Sequence, residues 1–510
     1  MKSAAEYHVA TSYDRLKMEP HYMDWANQPR PYKTYPGQVA IALPGVAEFP
    51  EALLWDLIRT SSRPEKPVEL DLNTLAQIFT LGDGITARGP HGDFYFRTQA
   101  SAGALYPNEI YLAAYDIKGL KPGLYHYAIR DMSLTALRKG DFSGYVSDAT
   151  RDAAGKNLAA TFFITGIFFR SAWKYRARAF RYVLLDAGHL LENFILALKT
   201  VKLSFSLYYD FEDEKLNRLL GIDSEKEACL ACVHVRGTPS GKPRKTGLVD
   251  PLSPELIEAS RVSDREITYK EIRQIYQGGN RIVQNVTLEP DMISSLGITP
   301  STWIQIPGGI KTETELDYAK TVVSRRSKRN YIGQTLPGKL LMRLLELVWL
   351  STNQDIFPES QNPRVGVTGL LAANIEGVES GFYVMDADRQ EIGLVTNERM
   401  VDKMAAVCLN QEWLRNASIH FLFMSNLRIS DNNYGPRGYR HAMLEAGRLG
   451  KAIYLGATSL GLGSCGIGAL YDGEARELLG LNNDSFLLYL VAAGLVKKPV
   501  FNISEPGNSQ

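Results

Sequence analysis

The segments Arg181-Tyr-Val-Leu-Leu-Asp-Ala-Gly-His-Leu190 and Arg440-His-Ala-Met-Leu-Glu-Ala-Gly-Arg-Leu449 repeat one another 259 residues apart (440 against 181). Similarity at a fixed period is the sign of a duplicated structural unit. Other matching blocks follow in the same order along the chain: Arg59–Arg63 with Arg325–Arg329, Gly119, Gly123 and Tyr125 with Gly377, Gly381 and Tyr383, Asp213 with Asp472, and Leu219–Gly221 with Leu478–Gly480. One such block can arise by chance, but several in one order indicate two diverged copies of a domain.

The repeats divide the chain into five parts. An aromatic, proline-studded arm (1–45) precedes copy one (46–240), a connector (241–310), copy two (311–500) and a tail (501–510). We expect the arm to lie over the surface of the body. Breaker residues, Arg236-Gly-Thr-Pro-Ser-Gly-Lys-Pro243, mark the start of the connector. Two short amphipathic helices are predicted inside it, at 254–258 and 269–276.

Helical and strand patterns are mixed within each copy. Helical periodicity covers Ala179–Lys199 and Tyr439–Leu460. Short apolar runs of the β type lie at Ile110–Tyr115, Ala160–Phe169, Ala228–Val235, His420–Ser425 and Phe486–Ala493. Strict strand–helix alternation is missing, so the pattern predicts an α+β fold in each copy.

Composition excludes several functional classes. The 510 residues carry a net charge of +1 and are 45% hydrophobic, so no overall field favours nucleic acid or an anionic membrane. Met1–Ala10 has no signal-peptide core, and the longest apolar runs are far shorter than the roughly 20 residues that cross a bilayer. Four cysteines do not make a disulfide framework. We expect a cytoplasmic protein whose partner is a small molecule or a peptide.

Arg325-Arg-Ser-Lys-Arg329 follows the predicted helix 316–323 and places three arginines within five residues. Guanidinium groups supply forked, permanently charged donors to a phosphate or an electron-rich ring. A solvated basic helix end has the same sequence pattern, so the motif alone does not decide between the two.

Gly461-Leu-Gly-Ser-Cys-Gly-Ile-Gly468 ends the second long predicted helix. No Lys-Ser/Thr follows it and it opens no helix, so it matches neither a phosphate loop nor a dinucleotide fingerprint. We interpret it as a glycine-rich loop that lets backbone N–H groups approach a ligand, with helix capping as the alternative. Cys465 is a candidate reactive thiol or a small packing residue.

Copy one contributes two further candidate elements. Ser101-Ala-Gly-Ala-Leu-Tyr-Pro-Asn-Glu109 is a small-residue turn before a strand, suited to a flat ligand or simply a loop. Lys174 and Tyr175 could serve acid–base chemistry if Lys174 were partly buried with a lowered pKa. An exposed lysine beside a packed tyrosine is the alternative.

No metal site is predicted. Cys229-Leu-Ala-Cys232 has metal-site spacing without a second pair, and it lies on an apolar run that favours core packing. The eight histidines form no metal-binding motif.

Taken together, these blocks resemble the flavin-dependent nitroreductase superfamily, and within it the SagB/ThcOx-type dehydrogenases that oxidise azoline rings of peptides. The resemblance spans both copies. It implies two tandem α+β domains that pair as an intramolecular dimer and bind FMN at their interface. It also implies that NAD(P)H is a candidate co-substrate and that further oligomerisation can occur.

The resemblance also implies roles for individual residues. The cofactor-binding set is Arg325, Arg326, Ser327, Arg329, Gly463, Cys465 and Gly466 of copy two, with Ser101, Ala102 and Gly103 of copy one. Lys174 and Tyr175 would be catalytic. A fixed guanidinium near N1 and the C2 carbonyl of the flavin would stabilise the negative charge of the reduced ring.

The two copies differ at the residues that matter for this site. The copy-one counterpart of the glycine-rich segment is Lys202-Leu-Ser-Phe-Ser-Leu-Tyr-Tyr209, which has no glycine. The copy-two counterpart of the small-residue turn is Glu359-Ser-Gln-Asn-Pro-Arg-Val365, and Lys174 corresponds to Asn433. The sequence therefore predicts one complete site and one FMN per chain.

Three functions remain open at this point. The first is an FMN-dependent dehydrogenase of azoline rings in a peptide. The second is an NAD(P)H-dependent nitro or quinone reductase on the same site. The third is a flavin-binding or peptide-binding scaffold without catalytic activity.

Overall fold

The computed structural model describes residues 3–18, 21–64, 68–89, 95–152, 157–237, 249–280, 291–313, 315–358, 361 and 364–497. Most of the breaker segment at the start of the connector, most of the copy-two counterpart of the small-residue turn and the tail lie outside these residues.

Each copy is built on a seven-stranded antiparallel sheet, to which the arm (β1) or the connector (β10) adds one edge strand. The strands of the first are β1 (Ala40–Ala42), β4 (Asn108–Ala114), β5 (Gly123–Ala128), β6 (Ser133–Lys139), β7 (Leu158–Ile167), β8 (Phe205–Tyr208) and β9 (Glu227–Arg236), in the spatial order β1-β6-β5-β4-β7-β9-β8. A separate hairpin is formed by β2 (Ile85–Arg88) and β3 (Tyr95–Arg97). The strands of the second sheet are β10 (Thr302–Gln305), β11 (Val367–Ala372), β12 (Gly381–Asp386), β13 (Glu391–Thr396), β14 (Ile419–Asn426), β15 (Gly463–Ile467) and β16 (Ser485–Gly494), in the order β10-β13-β12-β11-β14-β16-β15.

The two orders are the same when corresponding strands are matched, so the duplication is visible in the topology. The helices are α1 (Ala4–Ala10), α2 (Leu54–Arg59), α3 (Leu72–Asp83), α4 (Ser143–Thr150), α5 (Phe168–Tyr175), α6 (Ala179–Thr200), α7 (Asp213–Leu220), α8 (Pro254–Ile257), α9 (Lys270–Gly278), α10 (Tyr318–Ser324), α11 (Gly338–Thr352), α12 (Val401–Val407), α13 (Leu427–Tyr434), α14 (Arg437–Ser459) and α15 (Asp472–Leu478). The prediction of an α+β fold in two copies is confirmed.

The long helices α6 and α14 cross at the centre of the molecule. They meet at Gly188 and Gly447, the glycines of the repeated Ala-Gly pair. A Cβ atom on Gly188 would lie 2.2 Å from the carbonyl oxygen of Leu444, and one on Gly447 would lie 2.3 Å from that of Leu185. Every residue of α6 is buried, because the helix has neighbours on all sides. The repeated motif therefore encodes the contact through which the two copies share one core.

Ion pairs at the starts of the long helices also join the copies. Arg178 and Arg181 each donate from Nη1 to Asp472 at 2.7 Å. Burial alone would raise the pKa of Asp472, but Arg181 and Arg178 hold it well below its usual value. The equivalent ion pairs join the copies the other way round: Arg437 and Arg440 of copy two bind Asp213 of copy one. Each copy thus supplies the carboxylate that neutralises the other copy's arginines.

The N-terminal arm packs on the body at several points. The N–H of Ala4 donates to Asp431 Oδ1 at 2.6 Å, which fixes α1 on α13. Further along, Trp25 stacks edge-on against Trp173, with ring centroids 5.2 Å apart. The buried ammonium of Lys33 forms an ion pair with Glu227. These contacts bring the arm to the C-terminal end of α5.

Candidate active site

The small-residue turn is held by a buried carboxylate on α6. Ser101 Oγ donates to Asp186 Oδ2 at 2.5 Å, and the N–H of Ala102 donates to Asp186 Oδ1 at 3.1 Å. Ser101 Oγ also accepts from the N–H of Tyr106 at 2.8 Å. Gly103 has a φ of +64°, so the turn needs a left-handed residue there. Burial raises the pKa of Asp186 to about 7, against the effect of its hydrogen bonds.

Lys174 and Tyr175, at the end of α5, lie directly against this turn. A Cβ atom on Gly103 would be 2.9 Å from Tyr175 Oη and 3.1 Å from Lys174 Nζ. The ammonium of Lys174 lies 5.5 Å from the centre of the Tyr175 ring. Burial raises the pKa of the Tyr175 phenol, and the neighbouring Tyr182 raises it further, so the phenol keeps its proton at neutral pH. Glycine at position 103 leaves space for both side chains.

Lys174 does not meet the condition of partial burial that we attached to its acid–base role. Its side chain is exposed, while Tyr175 is half-buried. The reason is its position at the C-terminal end of α5, where the lysine points toward solvent beside the arm. The structure therefore brings the Lys–Tyr pair to the turn but leaves the amine in contact with water.

Arg325 reaches from copy two into the segment just before the turn. Its Nε donates to the carbonyl of Thr98 at 3.0 Å, and its guanidinium lies 5.6 Å from the centre of the Tyr454 ring. The side chain is buried, and burial lowers its pKa. Nη1 has no hydrogen-bond partner within the described part of the chain. One charged donor is thus left free inside the interface.

Lys451, on α14, is a second buried cation beside Arg325. Its Nζ donates to the carbonyl of Thr98 at 2.7 Å and makes no ion pair with any described residue. Burial lowers the pKa of Lys451 well below its usual value, and Arg325 lowers it further. The side-chain amide of Gln99 and the hydroxyl of Ser464 are also buried without a partner among the described residues. The cluster is suited to a ligand that carries negative charge and several acceptor atoms.

The rest of the arginine segment lies along β15. Ser327 Oγ lies 3.1 Å from Tyr454 Oη, and the backbone of Ser327 pairs with that of Ser464. Arg329 interacts with Cys465, although burial raises the pKa of the Cys465 thiol more than Arg329 lowers it. Ser327, Arg329 and Cys465 are therefore placed together as expected.

Arg326 points elsewhere. Its Nη1 donates to the carbonyl oxygens of Val323, at 2.9 Å, and of Arg325, at 2.6 Å. Its guanidinium lies 5.9 Å from the centre of the Phe96 ring, on the β2–β3 hairpin. Arg326 is therefore separated from the Ser327–Cys465 group.

The interpretation of the glycine-rich segment as a loop was wrong, because 463–467 form the edge strand β15. A Cβ atom on Gly463 would lie 2.2 Å from Val496 Cγ1, and one on Gly466 would lie 1.8 Å from Tyr489 Oη. The N–H of Gly466 donates to Tyr454 Oη at 2.5 Å. These glycines make room for side chains of the protein itself.

The pseudo-symmetric position, between the other ends of the same helices, contains a polar network centred on Arg448. Arg448 donates to Glu192 Oε2 at 3.0 Å and to Glu445 Oε2 at 2.8 Å. Tyr209, the counterpart of Gly468, donates from its hydroxyl to Glu445 Oε1 at 2.7 Å. Glu192 is the repeat counterpart of Lys451. At this position the candidate site therefore holds a cation with no ion pair among the described residues, whereas the pseudo-symmetric position holds the carboxylate that binds Arg448.

Asp186, Lys451, Tyr454 and Gln99 were not selected from the sequence. The clearest signal for Lys451 is the reversal of charge at its repeat position, where copy one has Glu192. Asp186 corresponds to Glu445, so its acidity looked like an ordinary repeat feature.

Cys229 and Cys232 are buried on β9 with their sulfur atoms 3.9 Å apart. Within the described ranges, no cluster of three or more His, Cys, Asp or Glu side chains could hold a metal ion. In the same part of the chain, no helix is long and apolar enough to span a membrane.

Comparison with known proteins gives consistent matches. The family model described as the nitroreductase family matches residues 58–238 and 322–495. A protein of Methanocaldococcus jannaschii named as a nitroreductase, MJ1384, is 31% identical over 179 residues, which are 34% of this chain and 89% of that protein.

Two further relatives match to different extents. The trifolitoxin-processing protein TfxB of Rhizobium leguminosarum bv. trifolii is 29% identical over 146 residues, which are 28% of this chain and only 39% of TfxB. A crystal structure from Anabaena variabilis, whose name describes a nitroreductase, superimposes with a TM-score of 0.79 at 27% identity. It covers 98% of this chain and 100% of that one.

Proposed function

The chain belongs to the nitroreductase family, and from this membership we propose that it is an FMN-dependent oxidoreductase that dehydrogenates azoline-type rings of a peptide. The observation that carries the proposal is a pair of buried cations at the interface that form no ion pair with any residue the structure describes. Arg325 and Lys451 lie next to the turn that contacts Lys174 and Tyr175.

FMN fits the donors that this cluster offers. The molecule carries a phosphate, ribityl hydroxyl groups and a pyrimidine edge with two carbonyl groups. Arg325, Gln99 and Ser464 present buried atoms without partners in the described structure, and Lys451 adds a cation. We propose that these residues bind FMN with Ser327, Arg329 and Cys465 of copy two and Ser101, Ala102 and Gly103 of copy one. Arg326, Gly463 and Gly466 are left out, since their contacts lie within the protein.

One site per chain follows from the differences between the copies. In the pseudo-symmetric position, Arg448 is neutralised by Glu192 and Glu445, and the ring of Tyr209 occupies the place of Gly468. Opening that position would break a buried ion network, which costs about 3–5 kcal/mol when one partner is removed. We therefore propose that the chain binds a single FMN.

Dehydrogenation of an azoline breaks two C–H bonds, and the ring releases a hydride and a proton as it becomes aromatic. Bound FMN supplies the hydride acceptor. We assign the proton to the Lys174–Tyr175 pair. Tyr175 is half-buried against the turn, and Lys174 is exposed, so the pair connects the interior of the site to bulk water. Tyr175 keeps its own proton, so the acceptor would be the unprotonated amine of Lys174, which then releases the proton to solvent.

The peptide substrate is supported by the similarity to TfxB, whose name describes processing of trifolitoxin, although the match covers 39% of that protein. The similarity to the M. jannaschii protein named as a nitroreductase supports a second candidate, an NAD(P)H-dependent reductase of nitro or quinone compounds on the same site.

A short series of measurements tests the proposal. The purified protein should show oxidised-flavin absorption bands and bind one equivalent of added FMN per chain. It should convert a synthetic thiazoline peptide to the thiazole. Lys174→Ala should retain flavin while turnover falls by about two orders of magnitude, the usual effect of losing an acid–base group. Lys202→Ala, on a distant turn, is the control.

Three results would contradict the assignment. Binding of two equivalent FMN molecules would exclude the single site. Rapid flavin bleaching by NADPH without conversion of the peptide would favour the reductase. Reduction by dithionite alone would indicate a scaffold without catalytic activity.

A further inference from the structure

The N-terminal arm exposes a concentration of apolar side chains. Of the twelve large hydrophobic residues that are exposed in the described structure, five lie within the first 25 residues: Val9, Leu16, Met18, Tyr22 and Trp25. The side chain of Leu16 is 92% exposed. Single exposed hydrophobic residues are ordinary, but a cluster of them on one segment marks a binding surface.

Three of these residues, Val9, Leu16 and Met18, line an open cavity between the arm and the body. The cavity has a volume of about 940 Å³, and its lining includes Leu16, Met18, Lys174, Tyr175 and Tyr471. Typical small-molecule sites have volumes of about 300–1,000 Å³, so this cavity is at the upper end of that range. A five-membered ring would fill only a small part of it. The cavity thus has room for the chain on one side of such a ring.

Tyr175 connects the cavity to the candidate flavin site. The residue lines the cavity, and its hydroxyl faces Gly103 of the turn held by Asp186. A ligand that extends from the turn past Tyr175 therefore enters the space beneath the arm.

Some of the charged groups around the cavity form ion pairs with one another. Arg15 forms an ion pair with Glu474 at 2.8 Å, and Lys17 forms one with Asp14 at 3.0 Å. Arg178 is bound to Asp472 inside the body. Lys174, Arg176, Arg476 and Glu477 also line the cavity, so a ligand there meets charged side chains as well as the apolar ones of the arm.

We propose that this groove binds an apolar segment of the substrate peptide adjacent to the ring that is oxidised, with Leu16 and Met18 as its principal contacts. The proposal rests on the proposed function for its choice of occupant. It makes the arm a determinant of substrate specificity: a peptide with leucine or valine beside the ring binds better than one with glycine there.

Leu16→Asp tests the groove, and Val39→Asp is the matched control. Both residues are exposed and apolar, but Val39 lies outside the cavity, so neither change should affect folding. The probe is a fluorescein-labelled hexapeptide with a thiazole flanked by leucines, whose binding is followed by anisotropy. A thiazole cannot be dehydrogenated, so binding is measured independently of turnover. The corresponding thiazoline peptide gives KM and kcat.

We expect Leu16→Asp to weaken thiazole-peptide binding at least tenfold and to raise KM by a similar factor, with kcat and FMN content within twofold of wild type. Val39→Asp should behave as wild type. Equal binding by the two variants would overturn the groove, as would wild-type protein that binds no peptide. A change of oligomeric state in Leu16→Asp alone would assign the surface to a second copy of the chain and would also overturn the proposal. Weakened binding in Leu16→Asp without any turnover by wild type would support the groove and contradict the proposed reaction.

Discussion

Replacing Lys451 with methionine should affect stability and cofactor affinity in opposite directions. Lys451 is a buried amine with no anionic partner among the described residues, and its Nζ donates to Thr98 O at 2.7 Å. Methionine has a similar volume and no polar group. The carbonyl of Thr98 keeps a second donor, because Arg325 Nε lies 3.0 Å away. The substitution therefore leaves no acceptor without a partner.

The expected magnitudes follow from these contacts. Replacing buried ionic groups by apolar ones of similar volume stabilises proteins by about 1–4 kcal/mol, and we expect the lower half of that range because one hydrogen bond is lost. Loss of a hydrogen bond from a charged donor to FMN costs about 1.5–3 kcal/mol, which corresponds to a 10- to 150-fold higher Kd. Flavin-free Lys451→Met should thus melt a few degrees higher than wild type and bind FMN at least tenfold more weakly.

Differential scanning fluorimetry of the flavin-free protein and quenching of FMN fluorescence measure the two effects. Lys199→Met is the matched control, since Lys199 is also buried but donates to Ile58 O of copy one and Gln354 Oε1 of copy two, away from the candidate site. It should lose stability and retain FMN affinity. Unchanged FMN affinity in Lys451→Met, or an equal loss in both variants, would refute the assignment of Lys451 to the cofactor site.

Three other predictions address the arginines, the turn and the helix crossing. Arg325→Ala should lose bound flavin on gel filtration whereas Arg326→Ala keeps it, because only Arg325 has a free donor in the interface; equal retention would contradict this distinction. The pKa of Asp186 is raised to about 7, so its stabilising contribution is complete below the unfolded value near 4 and is lost as pH rises through about 7. Asp186→Asn should therefore remove this pH dependence from the Tm measured between pH 4 and 8. An unchanged pH dependence would count against the assignment. Gly188→Ala should destabilise the protein by several kcal/mol, since its Cβ atom would meet the backbone of α14. Gly473→Ala is the control and should be tolerated, because Gly473 lies in α15 with open space around it. Similar urea midpoints for the two variants would disprove the role of the crossing.

The repeated segments predicted the fold well because they encode its central contact. Gly188 and Gly447 lie where the two long helices touch, and Asp213 and Asp472 neutralise arginines of the opposite copy. Each matched residue therefore makes a contact that requires its residue type. Periodicity then placed α6 and α14 to within two residues of their ends.

The candidate site was predicted less completely, since its residues act across the repeat. Glycines at 463 and 466 suggested a ligand-binding loop, but the missing Cβ atoms accommodate Val496 and Tyr489, which are close only in three dimensions. Arg448 and Lys451 are three residues apart on α14, a spacing that is typical of a solvated helix face. Only the packing of α6 against α14 shows that both side chains are buried. Arg326 shares a motif with Arg325 yet faces the opposite way.

The crossed arginine–aspartate pairs have a consequence for how the two copies recognise one another. These pairs would be satisfied equally by two first copies or two second copies, because both copies carry the same residues at those positions. Selective pairing of copy one with copy two must therefore come from positions at which the two copies carry different residues. In a pair of two second copies, Arg448 of one would face Lys451 of its partner, which places two cations in a buried contact. In the native pairing, Arg448 faces Glu192. Like charges in a buried contact disfavour the wrong partner. A separately expressed second copy should therefore assemble with the first copy rather than with itself, so part of the choice of partner lies in the helices.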